Sequence, residues 1–239
     1  MASQHAVIVG GSSGIGLATA ATLLQQGLTV TIIGRDKEKL EAAAQSLPSG
    51  ARIAVADAEK PENVRRAFES AGKFDHLVLP LGNGFGGGPF PTLDMADLLK
   101  GFQTKAVAHA AAAQAALPHL NRGGSITFVS AVSAQAALPG TAGLAAVNAA
   151  IEAMVPVLAL ELKPLRVNAV SPGVIDTPWW SFMPDAQRAA TFEAFAARTP
   201  VGRVGKAEEV AQAIAFLIGN GFMSGHVLTC DGGIRHGAA

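Results

Sequence analysis

The feature that most constrains this chain is a short apolar run, His5–Val9, that passes without a break into Gly10-Gly11-Ser12-Ser13-Gly14-Ile15-Gly16 and then into a helical pattern. Glycine lets the main chain turn sharply and lets another group approach it closely. A helix that starts from such a turn offers N–H groups and a partial positive charge, the pair of features that holds a pyrophosphate. With a strand before it and a helix after it, the turn reads as a dinucleotide site and not as a generic tight turn.

The rest of the chain repeats that alternation. Strands are expected at His5–Val9, Thr29–Ile33, Ile53–Ala56, His76–Leu79, Ser125–Val129, Arg166–Val170 and Val227–Thr229. Helices are expected near Gly14–Gln26, Lys37–Ser46, Pro61–Ala71, Asp94–Leu117, Thr141–Lys163, Pro184–Ala197 and Ala207–Ile218. Several strand runs are continuously apolar, as in parallel strands covered on both faces. The expectation is one α/β domain over residues 1–239, a doubly wound Rossmann fold whose central, mostly parallel seven-stranded sheet carries helices on both faces. A content of 49% hydrophobic and 15% charged residues suits a well-buried core, and no repeat or linker interrupts it. Gly82–Gly88 is expected to be a mobile loop at a strand's carboxyl end.

Eighteen basic residues balance eighteen acidic ones, so no basic field is present to attract nucleic acid or a membrane surface. Cys230 is the only cysteine, which forbids an internal disulfide and fits a reducing compartment. No signal peptide is seen in the short polar Met1–Gln4. The most apolar stretch, Ala106–Leu117, is only 12 residues and is interrupted by His109 and Gln114. A soluble cytoplasmic protein acting on a small molecule is the expectation. The charge-poor helices Ala106–Leu117 and Ala142–Leu160 suggest a homo-oligomer, a tetramer or dimer, with His109 at the interface.

The spacing Gly-x-x-x-Gly-x-Gly, the segment Val167-Asn168-Ala169-Val170-Ser171-Pro172-Gly173-Val174-Ile175-Asp176-Thr177-Pro178, the run Pro200-Val201-Gly202-Arg203-Val204-Gly205 and the ending Leu228-Thr229-Cys230-Asp231-Gly232-Gly233 together resemble the short-chain dehydrogenase/reductase family over essentially the whole chain. The resemblance implies that Gly10, Ser12, Ser13, Ile15 and Gly16 hold the pyrophosphate and adenosine ribose. It implies that Asp57 receives the adenine amino group and that Pro172, Gly173, Val174 and Thr177 flank the nicotinamide. Members that prefer NAD commonly end the second strand with an acid. Here that end reads Ile32-Ile33-Gly34-Arg35, and a guanidinium suits a 2′-phosphate, so NADP(H) is expected over NAD(H).

The family's reacting group is a Tyr-x-x-x-Lys pair with a serine upstream, and this chain contains no tyrosine at all. Anchored on Pro139-Gly140 and Ala149-Ala150-Ile151-Glu152, the tyrosine position holds Leu144, the lysine position Asn148, and the serine position Ala131, one residue after Ser130. The Asn-Asn-Ala-Gly that follows the fourth strand in the family reads Leu79-Pro80-Leu81-Gly82, which leaves Gly82 as a cofactor contact and Asn83 as the nearest amide. An asparagine of the preceding long helix is replaced by Lys105. Lysine and asparagine have traded places, and Lys105, Asn148 and Ser130 are the candidate catalytic residues. Ser133 reads as a turn hydroxyl. Trp179, Trp180 and Phe182 read as a substrate lid suited to an apolar or aromatic substrate. Three functions follow: a divergent reductase without the tyrosine acid, a dinucleotide-binding sensor or assembly partner without turnover, or an isomerase or cyclase using the same pocket. No metal-ligand cluster is seen.

Overall fold

The computed structural model describes residues 3–48, 50–82 and 84–237; Asn83 falls outside them. In chain order the first half comprises β1 (His5–Val9), α1 (Gly14–Gln25), β2 (Thr29–Gly34), α2 (Lys37–Ser46), β3 (Ala51–Val55), α3 (Pro61–Ala71) and β4 (Phe74–Leu79). The second half comprises α4 (Met95–Gly101), α5 (Ala108–Ala116), β5 (Leu120–Val129), α6 (Ala142–Glu161), β6 (Arg166–Pro172), β7 (Ile175–Asp176), α7 (Asp185–Arg198), β8 (Gly205–Lys206), α8 (Ala207–Gly219) and β9 (Val227–Cys230).

The seven-stranded sheet has the order β3-β2-β1-β4-β5-β6-β9, and every pairing in it is parallel. The chain winds outward from β1 to β3 and then returns to place β4 on the other side of β1. That reversal opens a crevice at the carboxyl ends of β1 and β4, the place where open α/β sheets bind ligands.

Alternation along each strand sends side chains to opposite faces. Val7 and Val9 join Phe68, Leu77, Phe128 and Ile151 under α3, α5 and α6. Ala6 and Ile8 join Leu23, Leu40 and Ile214 under α1, α2 and α8. Helix α6 is long and apolar enough to cross a membrane, but its Val147, Ile151 and Val155 stripe is fully buried in the first of those layers.

The structure differs from expectation in places. The helix expected over 94–117 is three pieces, because a π-helical stretch, Phe102–Val107, separates α4 from α5. Asp94 and Thr141 are N-cap positions outside their helices. Strand β5 starts at Leu120, earlier than Ser125, and β7 pairs with β8 in a small second sheet. His109 is not at an outer surface: it is fully buried.

Candidate active site

Three glycines of the first turn have separate reasons to be glycine. Gly10 has φ +98° and lies where a Cβ would meet the Pro80 carbonyl at 3.3 Å. Gly14 has φ +51° and backs onto the Thr177 side chain. A Cβ at Gly16 would collide with the Gly10 carbonyl, so α1 can pack this close only with glycine there. Ser13 is the N-cap of α1, yet its hydroxyl makes no capping bond, and the first turn carries no acidic residue. The positive end of this helix therefore faces the crevice uncompensated by the protein, and an anion would compensate it.

Of the other cofactor candidates, Thr177 packs against Gly14. Gly173 packs so tightly on Asp231 that a side chain has no room, which sets the course of the loop toward Val174 and Thr177. Asp57 accepts from Glu59 N at 3.1 Å and so shapes the turn after β3. Arg35 is exposed at the end of β2 and joins no ion pair among the described residues. The neighbouring Asp36 is committed to α2, accepting from Lys39 N at 3.1 Å and pairing with its ammonium at 3.8 Å. No acid thus stands ready at this strand end for ribose hydroxyls, while a guanidinium does.

Deeper in, α6 presents Leu144, Asn148 and Glu152 one turn apart. Asn148 Nδ2 donates to Ser133 Oγ at 3.1 Å and to the Leu144 carbonyl at 2.8 Å, and its buried Oδ1 has no partner among the described residues. The π-helical turn packed against α6 carries Lys105, only 7% exposed, whose Nζ donates to the Ser130 carbonyl at 3.4 Å. Burial pushes this amine down to about 8, and the nearby charge of Glu152 pulls it partly back up. His109, one turn on, lies 2.8 Å from the carbonyls of both Lys105 and Leu79. Burial, and then the Lys105 charge, lower it to about 4, so it is neutral near pH 7 and donates to one carbonyl at a time.

The Ser130 hydroxyl belongs to a different network. It donates to Glu152 Oε1 at 2.7 Å, alongside Ser171 at 2.8 Å, while Gln135 Nε2 donates to Oε2 at 2.9 Å. The side chain of Ser130 thus anchors Glu152, and only its carbonyl meets Lys105.

The turn after β7 carries an aromatic cluster. Trp179 meets Trp180 edge-on at 4.7 Å and Phe182 at 5.3 Å between ring centres, and Trp180 reaches Phe192 at 5.5 Å. Trp180 Nε1 donates to the Ile175 carbonyl at 2.9 Å, which ties the cluster to β7. The Trp179 ring lies against Gly82 and Gly84, where a Cβ would be 3.8 and 3.5 Å away.

A family model described as Enoyl-(Acyl carrier protein) reductase matches residues 9–235. Carbonyl reductase family member 4 of Danio rerio is 32% identical, with 98% of both chains covered. The 3-oxoacyl-[acyl-carrier-protein] reductase FabG of Thermotoga maritima is 33% identical over 95% of this chain and 96% of its own. A solved small-chain dehydrogenase in complex with NADPH is 32% identical, with a TM-score of 0.85 over 99% of this chain and 100% of that one. The chain belongs to the short-chain dehydrogenase/reductase family. Its relatives are oxidoreductases by name, and its Rossmann-type sheet is the family's.

Within the short-chain dehydrogenase/reductase frame, one residue escaped the sequence reading. Glu152 organises Ser130, Ser171 and Gln135 and sets the charge felt by Lys105. Its signal was available as the next turn on the face of Leu144 and Asn148, but a carboxylate on a helix more often faces solvent.

Proposed function

We propose that this short-chain dehydrogenase/reductase is an NADP(H)-dependent oxidoreductase acting on a small apolar or aromatic molecule, with the Lys105 ammonium in place of the family's tyrosine acid. The carrying observation is Lys105 itself, a buried cation that donates to the Ser130 carbonyl just past the carboxyl end of β5, on a turn packed against α6. The glycine cradle, the uncapped α1 terminus and the unpaired Arg35 fit a phosphorylated dinucleotide, and a relative of known structure is described in complex with NADPH. The bound dinucleotide would supply or accept hydride. Lys105 would hold an ammonium near the substrate oxygen, stabilising developing negative charge and delivering a proton. His109, bonded to the Lys105 carbonyl, would hold the turn that carries the lysine, and the tryptophan cluster would exclude water. A positioned acid contributes about 10²–10⁴-fold. Supporting an activated substrate, one relative is named a 1-cyclohexenylcarbonyl-CoA reductase. A cytoplasmic setting fits the single half-buried Cys230.

Leu144 and Ala131 favour a second reading, a dinucleotide-binding protein without turnover, because neither can donate a proton. Titration with NADPH and NADH, followed by single-turnover loss of reduced-nicotinamide absorbance against carbonyl, enone and imine panels, separates the two. NADPH should bind more tightly, and Arg35→Ala should weaken it roughly ten- to a hundredfold, as expected for one charge-assisted contact. Tight binding with no hydride loss on any panel would overturn the oxidoreductase reading, and an unchanged Arg35→Ala would overturn the NADP(H) preference.

A further inference from the structure

A buried ammonium needs partners, and Lys105 has few. Among the described residues one of its three donor positions is used, in a long 3.4 Å bond to the Ser130 carbonyl. No carboxylate among the described residues lies within ion-pair reach of it. The nearest charge, Glu152, is already engaged by two hydroxyls and an amide. Ala106, Ala108 and Val147 are buried around the turn that carries Lys105. An unpaired charge in such surroundings is relieved by losing its proton. The packed helix α6 adds the complementary defect, the buried Asn148 Oδ1 with no donor.

We propose that Lys105 is also a nucleophilic amine that captures small apolar or aromatic aldehydes and ketones as an imine. It shares the pocket of the proposed oxidoreductase but not its hydride step. The nitrogen lone pair attacks the carbonyl carbon, the C=O π pair moves onto oxygen, and a proton shifts from nitrogen to oxygen to give a carbinolamine. The C–O bond then breaks, the second amine hydrogen leaves with the oxygen as water, and C=N forms. Amine plus carbonyl gives imine plus water, with nothing oxidised or reduced. The unpartnered Asn148 Oδ1 lies on α6, which packs against the turn carrying Lys105, and leaves a free acceptor on that neighbouring helix. The lowered basicity of Lys105, near 8, keeps a large share of it as free amine in mildly alkaline solution. The exposed Trp179 and Phe182, edge-on at 5.3 Å, offer an apolar surface suited to a flat carbonyl.

The test uses the full chain without dinucleotide, benzaldehyde as probe and sodium cyanoborohydride as trap, with peptide mapping by mass spectrometry. The benzyl adduct should form at Lys105 at least tenfold faster than at the exposed Lys37 and Lys60. Its half-maximal rate should fall near pH 8, against a value near 10.5 for an ordinary lysine. Lys105→Arg should abolish that adduct alone. If that variant fails to fold, the site-resolved ratio in the wild-type chain decides. Labelling of Lys105 no faster than of Lys37 would overturn the proposal. Hydride transfer is read separately: trapping without NADPH consumption leaves the amine and removes the reductase, and the reverse result removes the amine and leaves the reductase.

Discussion

A lysine held inside a protein with one long hydrogen bond lowers the stability of its own fold. Lys105 titrates near 8 in the folded chain against 10.5 in an unfolded one. Below pH 8 both states are protonated and the burial cost is felt in full. Between 8 and 10.5 the unfolded chain holds a proton that the folded chain has shed, so stability rises through that window. Lys105→Met should therefore raise the unfolding free energy read from urea denaturation at pH 7 by up to roughly 3 kcal/mol, with the gain shrinking toward pH 10. A variant less stable than wild type at pH 7 would contradict this account. His109 and His76 act at the other end. Both are lowered from 6.5 to about 4, chiefly by burial. Their contribution is intact above 6.5 and is lost as pH falls toward 4, each by roughly 3 kcal/mol at most. Denaturation at pH 4.5 and 7.5 should show that loss, and a flat profile would refute it.

At the scale of elements, the π-helical turn and α6 hold the two halves of the lysine–asparagine exchange. Leu144→Tyr with Asn148→Lys should restore measurable ketone reduction only once Lys105→Asn is added, because two ammonium groups would otherwise share one buried site. Equal activity of the double and triple variants would show that the two side chains do not meet. The strand–turn–helix order, and the crevice it makes, were legible in the sequence because apolar runs and glycine spacing are local signals. The break in the helix over 94–117 was not, since an alanine-rich stretch reads as α-helix and only packing forces the wide turn that directs Lys105 and His109 inward. Ser130 illustrates the other limit. Its place at the end of β5 could be read, but the direction of its hydroxyl toward Glu152 depends on a residue 22 positions away.

For the whole molecule, large apolar residues stand exposed on α4, the π-helical turn and α6: Met95, Leu99, Val107, Val157 and Leu160. Exposed apolar side chains on these helices fit a contact with a second copy. Ala112 and Ala113 do not belong to it. They are buried against the sheet, so glutamate there would disrupt folding and not assembly. Val107→Glu with Leu160→Glu should instead convert a dimer or tetramer to monomer in light scattering at micromolar concentration, and a wild-type monomer would refute the assembly.

The aromatic cluster after β7 also makes the chain its own optical probe. Trp179 and Trp180 are its only tryptophans, and there is no tyrosine to add a background. Emission excited at the red edge of the tryptophan band thus comes from this one cluster, in which Trp179 rests on Gly82 and Gly84. Reduced nicotinamide absorbs where tryptophan emits. A dinucleotide settling beneath that ring would quench the signal by energy transfer, so its arrival and departure could be timed without attaching a label.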